Sequence, residues 1–270
     1  MITEQTATAG TVGATSLAVT ALVTVIAAAR GVWSPCGLSM ISAINPFTER
    51  VRGNRYWLTA SWFIAGALLG GALLGALAAV VTVLLAALWP LFGGAVTAAA
   101  IAGGCCLIAV ASDCPAVRFA LPDHPRQVNE RWLDRYRRWV YAVGFGVQIG
   151  CGFATYIMTA ANYLLVVLAA LTGSPTVAFA VGLLFGLIRG AAVLVSSAAR
   201  DPAALRRLHR RIDLLAPWSL RAAILVQAAA AVLFGYLSGG PIGAGLAVAL
   251  LTAGGCLILR RGRDRVPVSS

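Results

Sequence analysis

The chain has 270 residues, 60% of them hydrophobic and 11% charged, and its mean hydropathy is +0.86. This composition excludes an ordinary soluble protein, because runs of about 18 or more apolar residues recur and each can cross roughly 30 Å of hydrocarbon. The net charge of +12 comes from arginines that lie mostly in short loops between the apolar runs. We interpret it as a positive-inside signal with contact to membrane lipids, and we expect no nucleic-acid partner.

The apolar runs predict an all-α fold, a polytopic transmembrane helical bundle with about seven spans. The predicted spans are residues 14–43, 57–87, 91–112, 139–171, 176–198, 218–237 and 241–259. With the N-terminus outside, the arginine-rich loops and the C-terminal tail all fall on the cytoplasmic side. We therefore predict a multi-pass protein of the inner (cytoplasmic) membrane, with its N-terminus outside and its C-terminus inside.

These spans divide the chain into two three-helix halves and one additional helix. The predicted units are a short extracytoplasmic tail (1–13), a first half (14–112), a basic cytoplasmic loop (113–138), a second half (139–237), an additional C-terminal helix (238–259) and a basic cytoplasmic tail (260–270). Because three is odd, the second half must run upside down relative to the first, as in an inverted-topology repeat. No cleaved leader is expected, because the first thirteen residues contain Glu4 and no basic residue.

The first span contains the stretch "GVWSPCGLSM", which places a helix breaker and a thiol side by side as Pro35 and Cys36. Proline removes a backbone donor and frees a carbonyl group, so the helix is expected to open toward a partner here. The second span contains "GALLGGALLGALAA", with glycines at small-xxx-small spacing at positions 66, 70, 71 and 75. That pattern predicts close helix packing.

Four of the six cysteines are weaker candidates for thiol chemistry or metal binding than Cys36 and Cys151. Cys105 and Cys106 are adjacent in the third span, and a pair of thiolates could bind a soft metal. Neighbouring residues of a helix point about 100° apart, however. We therefore interpret both cysteines as small core residues. Cys114 could relay thiol chemistry at the cytoplasmic end of that span, and Cys256 is interpreted as a packing residue. No pair of cysteines has the spacing of a zinc site or of a CxxC motif, and both histidines lie in arginine-rich loops. The sequence also contains no nucleotide, flavin or haem motif. We expect neither a metal nor a cofactor.

The fourth span contains a counterpart of the first. Residues 29–45 and 142–162 each contain Cys followed by Gly, and each ends in Asn. Each segment also begins a set of three spans. At 1.5 Å per helical residue, the sulfurs of Cys36 and Cys151 would both lie roughly 13–18 Å from the cytoplasmic boundary.

Two thiols at matched depth could meet. A disulfide between them would require Cα atoms about 4.4–6.8 Å apart, and small residues would permit that approach. The glycines beside the two cysteines are Gly37 on one side and Gly146, Gly150 and Gly152 on the other.

The motif "SPCGL", with a second cysteine in the fourth span, resembles the CcdA/DsbD-type transmembrane thiol–disulfide transporters of cytochrome c maturation. The resemblance covers roughly residues 14–237, although glycines flank Cys151 where that family usually has a proline. It implies two inverted three-helix halves and a reversible disulfide between Cys36 and Cys151. It also implies electron transfer from a cytoplasmic thioredoxin-like protein to an extracytoplasmic thioredoxin-fold acceptor, without a bound cofactor.

Two arginines fall inside predicted spans, Arg30 before Cys36 and Arg189 in the fifth span. A charge within the membrane is costly and usually faces a cavity or a partner. Because no acidic residue lies within any predicted span, either arginine could stabilise a nearby thiolate or bind an anionic substrate.

Two other functions remain open. A small-solute or metal-ion transporter could use the same inverted-repeat scaffold, with its substrate site at the broken helices around Pro35 and Gly150. The other open function is that of a scaffold or assembly partner without transport. The redox function predicts that Cys36 and Cys151 are both required and that they exchange disulfides with thioredoxin-like proteins.

Overall fold

The computed structural model describes residues 2–92, 94–114, 132–155 and 157–263. Throughout these residues the chain is helical and contains no β-strand, which confirms the predicted all-α class. The α-helices are α1 (Ile2–Arg30), α2 (Pro35–Ala43), α3 (Pro46–Val51), α4 (Tyr56–Phe92), α5 (Gly94–Asp113), α6 (Trp132–Arg135), α7 (Arg138–Cys151), α8 (Ala161–Leu171), α9 (Pro175–Ala191) and α10 (Pro202–Arg263). Short 3₁₀ helices follow α1 and α9, at Gly31–Trp33 and Ala192–Ala198.

Five stretches of the described chain are long and apolar enough to cross a membrane, so the protein is a multi-pass membrane protein. They are Gly13–Trp33, Tyr56–Leu88, Gly94–Asp113, Pro175–Ala198 and Pro202–Gly254. The last covers two predicted spans and contains non-helical backbone at Gly239 and Gly240. The predicted span 139–171 consists of α7, an irregular segment and α8. The number of crossings and the inverted repeat therefore stay predictions.

Two predicted boundaries differ from the helix bounds in the structure, and one predicted interruption is present. Residues 2–13, predicted as a short tail, continue α1, and the helix of the first span is interrupted near Pro35, because α1 ends at Arg30. Beyond it, Ser34 has extended backbone and caps α2 by accepting a hydrogen bond from the amide of Gly37 at 3.0 Å. Asp113 is the last residue of α5 rather than the first residue of a loop. Most of the predicted loop, and residues 264–270 of the predicted tail, lie outside the described residues.

Helix α4 lies between α7 and α9, and glycines line both contacts, as the small-residue pattern predicted. On one face, a Cβ atom built at Gly66 would overlap the backbone of Val143 in α7. On the other face, a Cβ built at Gly71 would overlap the backbone of Gly182 in α9. The three helices therefore touch backbone to backbone, and α5 packs separately along α10.

A buried carboxylate fastens α3 to the helices beside it. Glu49 has no exposed surface, and it accepts hydrogen bonds from the hydroxyl groups of Thr59 at 2.5 Å and of Tyr141 at 3.0 Å. Arg52 forms an ion pair with it at 3.2 Å. Both carboxylate oxygens thus have partners, which is the condition for a buried charge to be tolerated. The network ties α3 to α4 and α7.

Replacing Tyr141 with phenylalanine is expected to lower stability, because the Tyr141 hydroxyl donates a hydrogen bond to Glu49 and accepts one from Asn54. Loss of a hydrogen bond to a buried charge costs about 1.5–3 kcal/mol, which corresponds to a fall of roughly 5 °C in the midpoint of thermal unfolding in detergent. The control is Tyr136→Phe, since Tyr136 is 45% exposed. Equal midpoints for the two variants would show that the hydrogen bonds of the Tyr141 hydroxyl contribute nothing to stability.

Candidate functional site

The candidate site is built around Arg189, which lies in the last turn of α9 and is 3% exposed. Its Nε donates a hydrogen bond to the carbonyl oxygen of Ile149 at 3.4 Å, in the last turn of α7. A Cβ atom built at Gly31 would fall on its guanidinium group, so that group lies directly against the break after α1. Its Cζ lies 5.9 Å from the centre of the Phe185 ring. One buried cation therefore contacts both segments that carry a candidate cysteine.

Cys36 is the second residue of α2 and is 1% exposed. It packs in an apolar cluster that also contains Phe63 and Ile149. It is close enough to Arg189 for the two side chains to interact electrostatically. The thiolate form of Cys36 would consequently have a fixed cationic neighbour in an otherwise apolar environment.

Cys151 is the last residue of α7 and is half-buried. A Cβ atom built at Gly70 would lie 2.7 Å from its amide nitrogen. Gly70 is about 21 Å along α4 from Tyr56 and about 27 Å from Leu88, at 1.5 Å per residue. Cys151 therefore lies near the middle of the apolar part of α4. Both Cys36 and Cys151 are thiols in this structure.

The residues beside the cysteines shape two breaks in the helices. Pro35 is the first residue of α2, a position that needs no amide donor. A Cβ at Gly37 would overlap the carbonyl oxygen of Gly31, so only glycine permits this tight turn. Gly152 ends α7 with a φ of 74°, and a Cβ there would lie 2.8 Å from the Phe185 ring.

Gly146 and Gly150 were predicted to let the two cysteine segments approach each other. In the structure the close approach that they permit is to α4, because a Cβ at Gly146 would overlap the backbone of Phe63 and a Cβ at Gly150 that of Ala67. These glycines therefore fix α7, and with it Cys151, against α4.

Arg30, the last residue of α1, is 8% exposed and points toward α10. Its Nη1 donates to the hydroxyl of Ser219 at 2.6 Å and to the carbonyl of Ala216 at 3.5 Å, whereas its Nε has no hydrogen-bond partner. The two intramembrane arginines thus have different surroundings. Arg30 joins α1 to α10, and Arg189 joins α9 to the cysteine segments.

Sequence reasoning missed a polar cluster around Asp113. The Asp113 carboxylate accepts hydrogen bonds from the Thr159 hydroxyl, from the amide of Ala160 at 2.8 Å and from Nε2 of Gln227 at 2.8 Å. Thr159 and Ala160 belong to the irregular segment between α7 and α8 that follows Cys151. The signal that could have found this cluster is Gln227, a lone amide in a span of alanine, valine and leucine.

The remaining cysteine candidates do not join this site. Cys106 is fully buried in a core cluster, and Cys105 packs at its edge. Cys114, just after α5, is half-buried, and the side chain of Cys256 lies outside the described residues. Among the described residues, no group of three or more histidine, cysteine or acidic side chains could hold a metal ion.

No protein-family model matches this chain, and no solved structure matches it. The chain is similar to the methylamine utilization protein MauF of Paracoccus denitrificans, at 30% identity over 170 residues that cover 61% of this chain and 58% of that protein. It is similar to MauF of Paracoccus versutus at 31% identity over 170 residues, covering 61% and 59% of the two chains. The chain thus matches less than two thirds of the length of these curated relatives.

Proposed function

We propose that this protein is a membrane thiol–disulfide oxidoreductase that carries reducing equivalents between a cytoplasmic thioredoxin-like protein and an extracytoplasmic thioredoxin-fold acceptor through Cys36 and Cys151. The observation that carries the proposal is the position of Arg189. This buried cation contacts the break beside Cys36 and the last turn of α7, which ends at Cys151. A cation that stabilises a thiolate raises the reactivity of the cysteine, because the thiolate is the nucleophile in disulfide exchange.

The chemistry needs no bound cofactor. A thiolate of the cytoplasmic partner attacks one sulfur of the Cys36–Cys151 disulfide; a mixed disulfide forms, and the other cysteine leaves as a thiolate. The second thiolate of the partner then displaces the remaining cysteine, so the partner leaves oxidised and the two cysteines have gained two electrons and two protons. The same steps in reverse order reduce the disulfide of the acceptor.

The depth of Cys151 and the helix breaks support this function. A sulfur near mid-membrane can be reached from two sides only if the backbone around it opens, and both cysteines lie at helix breaks. The relatives' name assigns them to methylamine utilization. If this chain also serves methylamine utilization, the protein that accepts its electrons outside the membrane is expected to be one used in methylamine utilization.

The test is to trap the mixed disulfide in cells that contain the thioredoxin-like partner. Cys36→Ser and Cys151→Ser are each expected to abolish transfer, and one of them is expected to accumulate a reductant-sensitive adduct with that partner. The matched control is Cys106→Ser, because Cys106 is equally buried but lies in α5. That variant should retain transfer and form no adduct.

The outcome that contradicts the proposal is a wild-type protein whose Cys36 and Cys151 stay reduced and unreactive toward thiol reagents in cells. That result would favour a small-solute or metal-ion transporter on the same scaffold, in which the two breaks form a substrate site.

A further inference from the structure

The Asp113 cluster lies at the meeting point of three elements. Asp113 ends α5, Thr159 lies in the irregular segment before α8, and Gln227 lies in α10. Thr159 and Gln227 are 4% and 1% exposed. Both donate to the same carboxylate oxygen of Asp113, and the Gln227 amide also lies 3.5 Å from the Thr159 hydroxyl. The cluster is therefore a compact group of oxygen-bearing side chains within an apolar bundle.

The cluster contains an oxygen that nothing in the described structure satisfies. The hydrogen bond from Nε2 to Asp113 sets the orientation of the Gln227 amide, and the Oε1 of that amide is buried without a hydrogen-bond partner. Because Oε1 and Nε2 share one carbon, Oε1 lies no farther than about 5 Å from the Asp113 oxygen that Nε2 contacts. A buried polar atom without a partner costs free energy, so its persistence points to a missing ligand.

Two more unsatisfied oxygens lie on the segment that the cluster holds. Oγ1 of Thr155, which has no exposed surface, and Oδ1 of Asn162, on a side chain 5% exposed, are buried without partners. The Asn162 amide nitrogen donates to the carbonyl of Gly152 at 3.5 Å, so this amide also presents its oxygen with no partner. Thr155 and Asn162 thus carry two more unpartnered oxygens, on the stretch whose Thr159 and Ala160 donate to the Asp113 carboxylate.

The chemistry of these groups defines the ligand. All of them are hard oxygen donors, which suit alkali or alkaline-earth cations and not soft metals. One carboxylate with neutral oxygens balances a single positive charge, so the set fits a monovalent ion better than a divalent one. Arg30 interacts electrostatically with Asp113. Its Nη1 donates to Ser219, and among the described residues Asp113 forms no ion pair, so the carboxylate can accept a cation.

We propose that Asp113, Thr159 and Gln227 form a binding site for a monovalent metal cation of the Na⁺ type, with the unpartnered oxygens of Thr155 and Asn162 as the candidates for its remaining ligands. Unwound segments inside membrane proteins bind such ions because their exposed oxygens replace water. Occupancy would fix the segment that begins directly after Cys151. The site stands on its own polar groups and does not require that the cysteines exchange disulfides.

The test measures thermal unfolding and ²²Na⁺ binding with the full chain in detergent at constant pH and ionic strength, with choline replacing Na⁺. Saturating Na⁺ is expected to raise the unfolding midpoint by about 5 °C, and bound ²²Na⁺ is expected to approach one per chain. Asp113→Asn and Gln227→Leu should each abolish both signals. Gln227→Glu adds a second carboxylate and should make the midpoint respond to Ca²⁺.

The matched control is Glu49→Gln, because Glu49 is a buried carboxylate outside this cluster and both its oxygens have partners. This variant should unfold at a lower temperature and retain the Na⁺-dependent shift. The proposal is overturned if wild-type protein binds no ²²Na⁺ and its midpoint is the same in Na⁺, K⁺, Li⁺ and choline. It is equally overturned if both site variants keep the wild-type response.

Discussion

Replacing Arg189 with methionine is expected to slow alkylation of Cys36 by about tenfold or more while leaving the protein at least as stable as the wild type. The two effects have opposite physical origins. Loss of about 1.4 kcal/mol of charge interaction in the transition state of alkylation corresponds to a tenfold fall in rate, and Arg189 interacts electrostatically with Cys36. In contrast, an apolar side chain of similar volume removes the cost of burying a guanidinium that has no carboxylate partner among the described residues, and replacing buried charges with apolar groups is often neutral or stabilising.

The measurement is the rate of N-ethylmaleimide addition at Cys36, followed by mass spectrometry, together with the midpoint of thermal unfolding. Arg189→Lys is the matched variant, because it keeps the charge but lacks the planar fork of the guanidinium. We expect it to retain most of the Cys36 reactivity. If Arg189 merely ties α9 to the Ile149 carbonyl, the methionine variant will be less stable and Cys36 will react at the wild-type rate.

Local signals were sufficient for the helix breaks and for the packing of α4. Pro35 beside Cys36 predicted an interruption, and the structure has one between Arg30 and Pro35. The glycine spacing in α4 predicted backbone contact, because only small residues let two helices approach so closely. Both features depend on residues within a few positions of one another, which is why the sequence alone was enough.

The candidate sites depend on contacts that sequence patterns do not encode. Arg189 donates to a backbone carbonyl 40 residues away, and every residue type has such a carbonyl. Asp113 was assigned to a loop because it directly follows the predicted span 91–112, and its partner Gln227 is 114 residues away. Polar residues near span ends can be interpreted as loop residues until the neighbouring helices are placed.

Replacing Gly150 with alanine is expected to destabilise the protein by about 3 kcal/mol, lowering the midpoint of thermal unfolding by roughly 6–12 °C. The added Cβ would overlap the backbone of Ala67, and backbone cannot escape the clash by changing rotamer. The whole helix α7 must therefore move away from α4. Because Cys151 is the next residue, the disulfide exchange proposed for it should slow as well.

Gly104→Ala is the control that separates this contact from the general effect of replacing glycine in a membrane helix. Gly104 lies in the middle of α5, and a Cβ there would meet nothing within 4 Å. Alanine is favoured over glycine in helices by about 1 kcal/mol, so this variant should be as stable as the wild type or more stable. A comparable loss in both variants would mean that contact with α4 does not determine the position of α7. Loss in Gly150→Ala alone, with slower exchange at Cys151, would mean that the glycine contact between α7 and α4 positions the cysteine.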